Sequence, residues 1–462
     1  MSTQTLASNE SATTKRARAG GKPPTLDGGL PWLGRMLDFR RNPIALLTEA
    51  YEKHGEIVGV PLVGNELIFL ASPDLQEVFY RAPDDVVSQK EAYKFTVPVF
   101  GEGVCYDAEP EIMMEQIGFA IPALRDAAMR TYAPKLAEET RKFIADWGDE
   151  GEIDILDVMK ELTTYSSSRC LLGEEFRDAI GAEFARLYDI VEKGVNQIAF
   201  FWPNAPLPSF RRRDEARGEL GKLLRRVIDN RRAKGIRDNG ILQAFMDAHY
   251  KSGRALTDDE ITGLILVVMF AGHHTSSVTA CWTGVELLRH PHTLKPVREE
   301  LDRVFADGRE VSFQTMRECE RLEWAIKETL RLHPPLIMLM RKLLKDFEIG
   351  GYTIPAGGML LASPAATGRL PTFFEDPHRF DPERFSEERE EEMHPYAWTP
   401  FGGGRHRCLG AVFAMLQIKT VWATLFLNYD FELVEAQYPP DYAAMVVGPK
   451  HPARFRYRRR RR

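Results

Sequence analysis

Apolar residues recur with a helical period through most of the chain, and one stretch predicts an unusually long helix. From residue 110 to 250 the apolar positions repeat every three to four residues, with breaks at Gly151 and Gly173. The next run, residues 257–290, has Thr257 in the N-cap position, three acidic residues after it and Pro291 beyond its end. At 1.5 Å per residue this helix would be roughly 50 Å long. It is therefore expected to cross the whole protein.

A short segment with strand character precedes the helical region. Residues 57–62 and 66–70 are apolar runs separated by Val63, Gly64 and Asn65, which predicts a β-hairpin. Further helices are predicted at about residues 43–54, 292–305 and 322–332, whereas residues 371–394 are polar, rich in proline and without a period. The expected order is a small β lobe at about 55–72 with late strands, a helical lobe at about 110–335, and a last loop and helix. The fold class is mostly α.

Composition narrows the functional class. The chain has 462 residues, of which 44% are hydrophobic and 28% charged, as in ordinary soluble enzymes. A net charge of -6 argues against general nucleic-acid binding. The five cysteines are odd in number and widely scattered, which predicts no disulfide framework and fits a reducing cytoplasm.

Both ends of the chain are expected to be unstructured. Residues 1–22 are rich in Ser, Thr, Ala, Lys and Arg and predict a disordered tail. They contain no apolar run long enough for a signal peptide or a membrane anchor, and the apolar centre of the long helix is taken to fall short of a span. Residues 454–462 are nearly all arginine and predict a solvated tail, with contact to an acidic partner as the alternative. A soluble, cytoplasmic protein of bacterial type is expected.

The sequence FGGGRHRCLG, residues 401–410, is the strongest chemical signal. Cys408 follows three glycines and precedes an apolar helical pattern, so its sulfur is predicted at a helix N-terminus. The helix dipole and the positive charges of Arg405, His406 and Arg407 are expected to lower the pKa of the thiol. A small buried side chain is the plainer interpretation of a lone cysteine. A thiolate without zinc-type spacing to other ligands would suit a haem iron, which needs one protein axial ligand.

The middle of the long helix carries the polar run AGHHTSS, residues 271–277. Glycine weakens a helix interior, and Thr or Ser hydroxyls can bond the carbonyl four residues back. We expect a local opening that could hold dioxygen, with Thr275 as the hydroxyl donor. A polar patch against a neighbouring helix is the alternative. Because His273 and His274 should point about 100° apart on the helix, they are not expected to bind one metal ion together.

Three charged residues are predicted to form one cluster. Glu328 and Arg331 are three positions apart and so share a helix face. The neighbouring leucines suggest burial, and a buried ion pair needs further partners. Arg384, in the sequence FDPERF, is the expected third member. The cluster would lock its segment under the cysteine loop.

Taken together, the notch with Thr275, the Glu-x-x-Arg pair, the Pro-Glu-Arg-Phe element and the cysteine loop resemble the cytochrome P-450 family. The resemblance covers the chain from about Pro23 to residue 453. It implies the prism-shaped haem-thiolate fold, haem b (iron protoporphyrin IX) bound through Cys408 and bordered by Phe401 and Gly402, and Thr275 assisting the protonation of dioxygen. Electrons would come from separate partners, a ferredoxin and its reductase.

Two stretches resemble the sterol 14α-demethylase branch of that family. His274 stands where most members have an acidic residue, and residues 93–107 are similar to the aromatic substrate loop of the branch. The resemblance implies that Tyr93, Arg341 and His406 contact the haem propionates and that His274 relays protons, for which we predict pairing with Glu192. The implied residues at the sterol pocket are Tyr93, Phe95, Phe100, Phe270, Ala271, Ile337, Leu339, Met445 and Val446.

Two departures leave alternatives open. Ile112, Met113 and Met114 stand where bacterial members of the branch tend to have basic residues, and Val278 stands where glycine is common. A P-450 that hydroxylates another apolar molecule, such as a terpenoid, steroid or fatty acid, is the runner-up. A haem-binding sensor without turnover is a different class, but such a protein would not need the oxygen notch around Thr275.

Overall fold

The computed structural model describes residues 21–179, 182–195, 199, 202–389 and 394–461. Most of the predicted N-terminal tail therefore lies outside the described residues. Its last part does not behave as a tail, because Gly21 forms a β-bridge with Tyr352. Gly21 thus has a defined partner although it lies within the segment that the composition assigns to disorder.

Helices dominate the described chain. The α-helices are α1 (Met36–Arg41), α2 (Pro43–His54), α3 (Pro73–Arg81), α4 (Gln89–Ala92), α5 (Val97–Phe100), α6 (Pro110–Ala120), α7 (Asp126–Phe143), α8 (Ile155–Ser167), α9 (Glu174–Ala179), α10 (Ala182–Lys193), α11 (Pro208–Lys234), α12 (Ile241–Asp247), α13 (Asp258–Arg289), α14 (Pro291–Val304), α15 (Phe313–Arg317), α16 (Glu320–Leu332), α17 (Pro364–Thr367) and α18 (Ala411–Asn428). The predicted helices at 43–54, 257–290, 292–305 and 322–332 are confirmed to within two residues at each end.

The strands form three sheets. They are β1 (Ile57–Leu62), β2 (Asn65–Leu70), β3 (Val87–Ser88), β4 (Glu150–Asp154), β5 (Leu339–Leu343), β6 (Phe347–Ile349), β7 (Tyr352–Ile354), β8 (Met359–Ala362), β9 (Tyr429–Leu433) and β10 (Arg454–Arg459). The largest sheet has the order β1-β2-β8-β5-β3, in which β2 and β8 are parallel. The predicted hairpin is confirmed, with Ile57 opposite Leu70. The break predicted at Gly151 is a strand, β4.

The long helix α13 organises the helical lobe. Its first turn has a complete capping box, in which the Thr257 hydroxyl accepts from the backbone N–H of Glu260 and the Glu260 carboxylate accepts from that of Thr257. Near its other end, Trp422 of α18 donates to the carbonyl of Ala280 at 2.8 Å. Gly284 is required beside it, because a Cβ there would lie 2.3 Å from the Trp422 ring. The helix is thus fixed at both ends.

Hydropathy corrects the expectation that α13 falls short of a membrane span. By length and composition, both α13 and α18 are apolar enough to cross a membrane. In the most apolar 18-residue windows, however, 56% of α13 and 67% of α18 are buried within the protein. Core helices of soluble proteins satisfy the same criterion, so the two helices are weak evidence for a membrane protein.

The arginine-rich C-terminus is not a solvated tail. Residues 454–459 form the central strand of the sheet β4-β10-β9. Arg456 lies opposite Glu152 on one side and Glu432 on the other, while Phe455 is fully buried. Alternate residues of a strand face opposite sides of the sheet, so the arginines meet acidic residues and the aromatic residues enter the core. Because arginine dominates the composition of this segment, the composition alone did not reveal that buried and exposed residues alternate along it.

The role of this strand is testable by substitution. Phe455→Ala is expected to lower the free energy of unfolding by about 3–5 kcal/mol, because the mutation removes a buried ring. Arg456→Ala is the matched control from the exposed face of the same strand and should change it by about 0.5 kcal/mol or less. Urea unfolding of the purified proteins measures both values. Equal effects of the two substitutions would contradict a buried central strand.

Candidate functional site

Cys408 lies where the sequence predicts it, between a tight turn and the last long helix. Residues Gly404–His406 form a 3-10 turn, and α18 begins at Ala411. The backbone N–H of Cys408 donates to the carbonyl of Phe401 at 2.8 Å, which closes the loop. Backbone N–H groups of Gly410 and Ala411 face the sulfur. Cys408 is exposed, whereas the other four cysteines are buried.

The predicted lowering of the thiol pKa is wrong for the protein alone. Burial raises the pKa of Cys408, and the N–H groups of Gly410 and Ala411 together with Arg407 offset this only in part. A side chain that is both accessible and desolvated faces an internal space rather than bulk solvent. A cation in that space would favour the thiolate, because a coordinating thiol is deprotonated by the metal.

The glycines of the loop are explained by a contact that the sequence did not reveal. A Cβ on Gly403 would lie 2.9 Å from the Tyr80 ring, and one on Gly404 would lie 2.1 Å from the Tyr80 carbonyl oxygen. Gly404 also has a φ of +62°, which favours glycine. Tyr80, at the end of α3, stacks on Tyr396 with ring centroids 5.6 Å apart. The loop is therefore moulded against α3.

The predicted charged cluster is present and buried. Arg331 donates two hydrogen bonds of 2.7 Å to the carboxylate of Glu328, and Nε of Arg384 lies 3.4 Å from Glu328 Oε1. Arg331 is 2% exposed, Glu328 is 0% exposed and Arg384 is 1% exposed. Arg331 also donates to the carbonyls of Gly368, Pro377 and Arg379. The guanidinium group of Arg331 is thus surrounded by backbone oxygens as well as by the carboxylate of Glu328.

An aromatic chain connects this cluster to the cysteine loop. Phe385, next to Arg384, meets Trp398 edge to face at a centroid distance of 5.7 Å. Trp398 in turn contacts Phe401 at 6.0 Å and donates to the carbonyl of Lys327 at 3.1 Å. Since Phe401 accepts the hydrogen bond from Cys408, the position of the sulfur depends on the cluster.

Arg341 and His406, two of the residues expected to contact the haem propionates, have different partners. Arg341 is 4% exposed, donates to the carbonyl of Met340 and lies over the ring of Phe79. No carboxylate of the described chain lies within ion-pair distance of Arg341. His406 instead contacts Asp84, with Nε2 2.6 Å from Oδ1, and Arg405 bonds the same carboxylate at 2.8 Å. Asp84 is a site residue that the sequence analysis missed.

Tyr93 completes one side of this internal space. Its ring stacks on Tyr106 with centroids 5.2 Å apart, and its hydroxyl accepts from the backbone N–H of Met340. Burial raises the pKa of Tyr106, whose electrostatic neighbours include Tyr93, Arg341 and Cys408. An accessible thiol, a buried guanidinium without a counter-ion and stacked aromatic rings fit a flat anionic macrocycle such as haem.

A large apolar cavity adjoins the long helix. Its volume is about 960 Å³. Six of the predicted pocket residues line it, namely Tyr93, Phe95, Phe270, Ile337, Met445 and Val446. The other three predicted pocket residues, Phe100, Ala271 and Leu339, are not among the lining residues. Phe100 lies behind the wall, where its ring packs edge to face on that of Phe270 with centroids 5.5 Å apart.

The lining also includes residues that the sequence analysis missed. The N-terminal segment contributes Lys22, Met36 and Phe39, and the apolar run LIMLM contributes Leu336, Met338 and Met340. Residues of the β1–β2 hairpin and of the segments 354–359 and 442–444 also line the cavity. The run 336–340 was visible in the sequence as five consecutive apolar residues. No local signal marked the N-terminal residues, because they meet the cavity only through the fold.

The notch on α13 exists without a break in the helix. The hydroxyl of Thr275 donates to the carbonyl of Ala271 at 2.5 Å, as the composition predicted. A Cβ on Gly272 would meet nothing within 4 Å, so open space lies beside it. The helix is nonetheless continuous from Asp258 to Arg289. The opening results from small side chains and not from a disrupted hydrogen-bond ladder.

The predicted pairing of His274 with Glu192 is confirmed as a contact. Nε2 of His274 lies against Oε1 of Glu192, near the C-terminal end of α10. Both residues line the cavity, and their side chains are 19% and 24% exposed. They are polar groups in a wall that is otherwise mostly apolar.

His273 corrects the argument that two adjacent histidines cannot share a ligand. Its ring centroid is 4.7 Å from that of His274. One ligand atom each from Glu192, His273 and His274 lies within 4.8 Å of the other two. Burial lowers the pKa of His273 to about 3, with His274 contributing, so this ring is neutral near pH 7.

The two departures do not intrude on the cavity. Met113 is buried on α6, while Ile112 and Met114 are exposed to solvent. Val278 is buried and packs on Gly448, where an added Cβ would lie 3.0 Å from it. None of the four residues is among those that line the cavity.

Comparison with known proteins gives a consistent result. Residues 23–456 match the family described as cytochrome P450. The sterol 14alpha-demethylase of Mycobacterium bovis is 43% identical over 444 residues, which cover 95% of this chain and 98% of that protein. The sterol 14-demethylase of Arabidopsis thaliana is 39% identical over 95% of this chain and 91% of its own length. The lanosterol 14-alpha demethylase of Mus musculus is 34% identical over 96% and 89%.

Solved structures share the fold at lower identity. The retinoic acid bound cyanobacterial CYP120A1 superimposes with a TM-score of 0.86 at 24% identity, covering 96% of this chain and all of that chain. The heme domain of cytochrome P450DA gives the same TM-score at 20% identity. These two likenesses concern the fold.

The buried cluster predicts a large effect of a small substitution. Glu328→Gln keeps the shape but removes the negative charge that Arg331 and Arg384 share, so the free energy of unfolding should fall by about 3–5 kcal/mol. Glu318→Gln is the control, because Glu318 forms a similar two-bond pair with Arg309 in an exposed position. Its effect should be about 1 kcal/mol or less. Denaturant unfolding of both variants measures the difference, and similar losses would refute a structural role of burial.

Proposed function

The chain belongs to the cytochrome P450 family, and from that premise we propose that it removes the 14α-methyl group of a sterol by oxidation with dioxygen. Relatives with this activity in their names occur among bacteria, plants and mammals at 34–43% identity over nearly the whole chain. The observation that carries the proposal is the large apolar cavity next to the His274–Glu192 contact. Its volume of about 960 Å³ and its mostly apolar lining suit a rigid, water-insoluble substrate.

The residues around Cys408 would hold the cofactor, haem, which we propose is haem b. Cys408 would hold the haem iron through its thiolate, with Phe401 and Gly402 beside it. Arg341 and Tyr93 would meet the propionates, and an anion there would neutralise the buried guanidinium. His406 would act together with Asp84, which holds its ring. When bound, haem with a thiolate ligand supplies the activation of dioxygen.

The protein itself must deliver protons and exclude bulk water. We propose that Glu192 takes protons from water at the cavity and passes them to His274, which adjoins Thr275 in the sequence. Thr275 can then present its hydroxyl toward the notch only by exchanging its bond to the Ala271 carbonyl. The aromatic side chains Tyr93, Phe95 and Phe270 would orient the substrate and keep the reacting methyl group away from solvent.

Electrons must come from outside the chain. Cytochrome P450 monooxygenases use dioxygen and redox partners, and we propose a ferredoxin with a ferredoxin reductase as the donors in the cytoplasm. Removal of one methyl group by three successive oxidations would consume two electrons in each round. The exposed Ile112 and Met114 on α6 give that surface an apolar character, so partner choice would differ from that of relatives with basic residues there.

Turnover on sterols is the direct test. Purified holoenzyme with a surrogate ferredoxin system should convert lanosterol or obtusifoliol to the 14-demethylated product. Chromatography with mass detection measures that product. Absence of product, from protein whose reduced carbon monoxide complex shows an intact thiolate ligand, would mean that the cavity serves another apolar substrate. Dioxygen use that does not respond to any added substrate would favour a haem-binding sensor.

The proton relay has its own prediction. In His274→Ala and Glu192→Ala, the amount of product formed per dioxygen consumed should fall. Positioned proton transfer typically accelerates a reaction by about 10²–10⁴-fold, so its loss slows product formation. His451→Ala is the control, since it removes a histidine paired with Asp154 on the surface. Dioxygen uptake and product are measured in the same reaction. Unchanged coupling in both relay variants would refute the role of the pair.

A further inference from the structure

Glu192, His273 and His274 bring three metal-ligating side chains together at the cavity wall. One ligand atom from each lies within 4.8 Å of the other two. His273 Nδ1 is buried and has no hydrogen-bond partner in the described chain, whereas the buried His274 Nε2 and Glu192 Oε1 lie against each other. Buried polar atoms normally have such partners. An unsatisfied ring nitrogen beside a histidine–carboxylate contact suits a bound cation.

The hydrogen bond of His273 fixes which of its nitrogens is available. Nε2 lies 3.1 Å from the carbonyl oxygen of Lys160, and a carbonyl can only accept, so Nε2 carries the proton. Nδ1 of the neutral ring therefore has a free lone pair. Metal-ligating histidines commonly donate their other N–H to a backbone carbonyl in this way, which fixes the tautomer and the ring orientation. His273 is thus held in the form that a metal ion requires.

The donor set and spacing suit a divalent transition-metal ion. Two imidazoles and one carboxylate are ligands of Zn²⁺ in many proteins. At metal–ligand distances of about 2.0–2.1 Å, ligands of a tetrahedral ion lie about 3.4 Å apart. The present separations reach that value with side-chain shifts on the order of 1 Å. A fourth position would face the cavity, where Glu192 and His274 are both lining residues.

Tyr188 provides a second, independent observation at the same place. Its hydroxyl is buried and has no hydrogen-bond partner in the described chain. The Tyr188 ring lies 5.6 Å from that of His273, and Glu192 is an electrostatic neighbour of the hydroxyl. Tyr188 is one helical turn from Glu192, so a second unsatisfied polar group lies on the helix α10 that carries Glu192.

We propose that Glu192, His273 and His274 form a reversible binding site for a divalent transition-metal ion, with Zn²⁺ as the representative ion. Bound Zn²⁺ would occupy the lone pair of His274 and the carboxylate of Glu192. Because these are the groups proposed to relay protons, the ion would inhibit turnover without touching haem. The inhibitory part rests on the proposed function, whereas the binding part does not.

Binding is measured first, on the holoenzyme and without substrate. The protein is dialysed against micromolar free Zn²⁺, and bound metal is determined by mass spectrometry. His273→Gln keeps a donor for the Lys160 carbonyl but loses the ring nitrogen, so it should bind one equivalent less. Its affinity at this site should fall by more than the roughly 10–100-fold that loss of an outer partner costs. Glu192→Gln, of equal shape, should show the same loss.

A matched control comes from the other group of possible ligands in the described chain, Asp154, Asp157 and His451. His451→Ala should leave zinc bound at the cavity wall unchanged. Equal zinc content of wild type and both site variants would overturn the proposal, as would a wild type that binds no zinc beyond what His451→Ala removes.

Inhibition is measured second, and its failure is distinguishable. Turnover of wild type should fall with Zn²⁺ and recover with a chelator. Turnover of His273→Gln, expressed relative to its own rate without zinc, should resist the ion. Binding without inhibition would leave the site in place and refute the relay as the point of action.

Discussion

The buried carboxylate of Glu328 holds α16 and the segment around Arg384 together, through Arg331, Asp381 and Arg384. Its oxygens accept two hydrogen bonds from the buried Arg331, lie 3.4 Å from Nε of the buried Arg384, and accept the backbone N–H of Asp381 at 2.9 Å. A buried charge without a partner is costly, so the segments that carry Arg331 and Arg384 must stay where they are. Phe385, Trp398 and Phe401 transmit that position to the cysteine loop.

Beyond the cysteine loop, the site combines a mostly apolar wall with one polar contact. Aromatic and aliphatic side chains make the cavity wall mostly apolar, and His274 with Glu192 interrupts it at one point. In such surroundings a polar contact is stronger than in water, and an unsatisfied polar atom is more costly. Both the proposed proton transfer through His274 and Glu192 and the proposed binding of a cation by His273 Nδ1 depend on these apolar surroundings.

Local patterns accounted for much of the fold and for the cysteine loop, the Thr275 notch and the charged cluster. The capping box at Thr257, the hairpin at residues 57–70 and the pair at Glu328 and Arg331 all involve residues close in the chain. The same reasoning failed where a contact is distant. Tyr80 explains Gly404 from more than 300 residues away, and Asp84 holds His406 at a similar separation.

Helical period, capping and motif spacing are short-range properties, so the sequence was enough to predict the long helix, the hairpin, the position of the cysteine loop and the charged cluster. Only the tertiary structure decided that the arginine-rich end is a central strand, that burial raises the pKa of Cys408, and that the rings of His273 and His274 approach one another. Each of these depends on what packs around the residue. Desolvation and strand pairing are set by neighbours that are distant in the chain, and no local pattern encodes them.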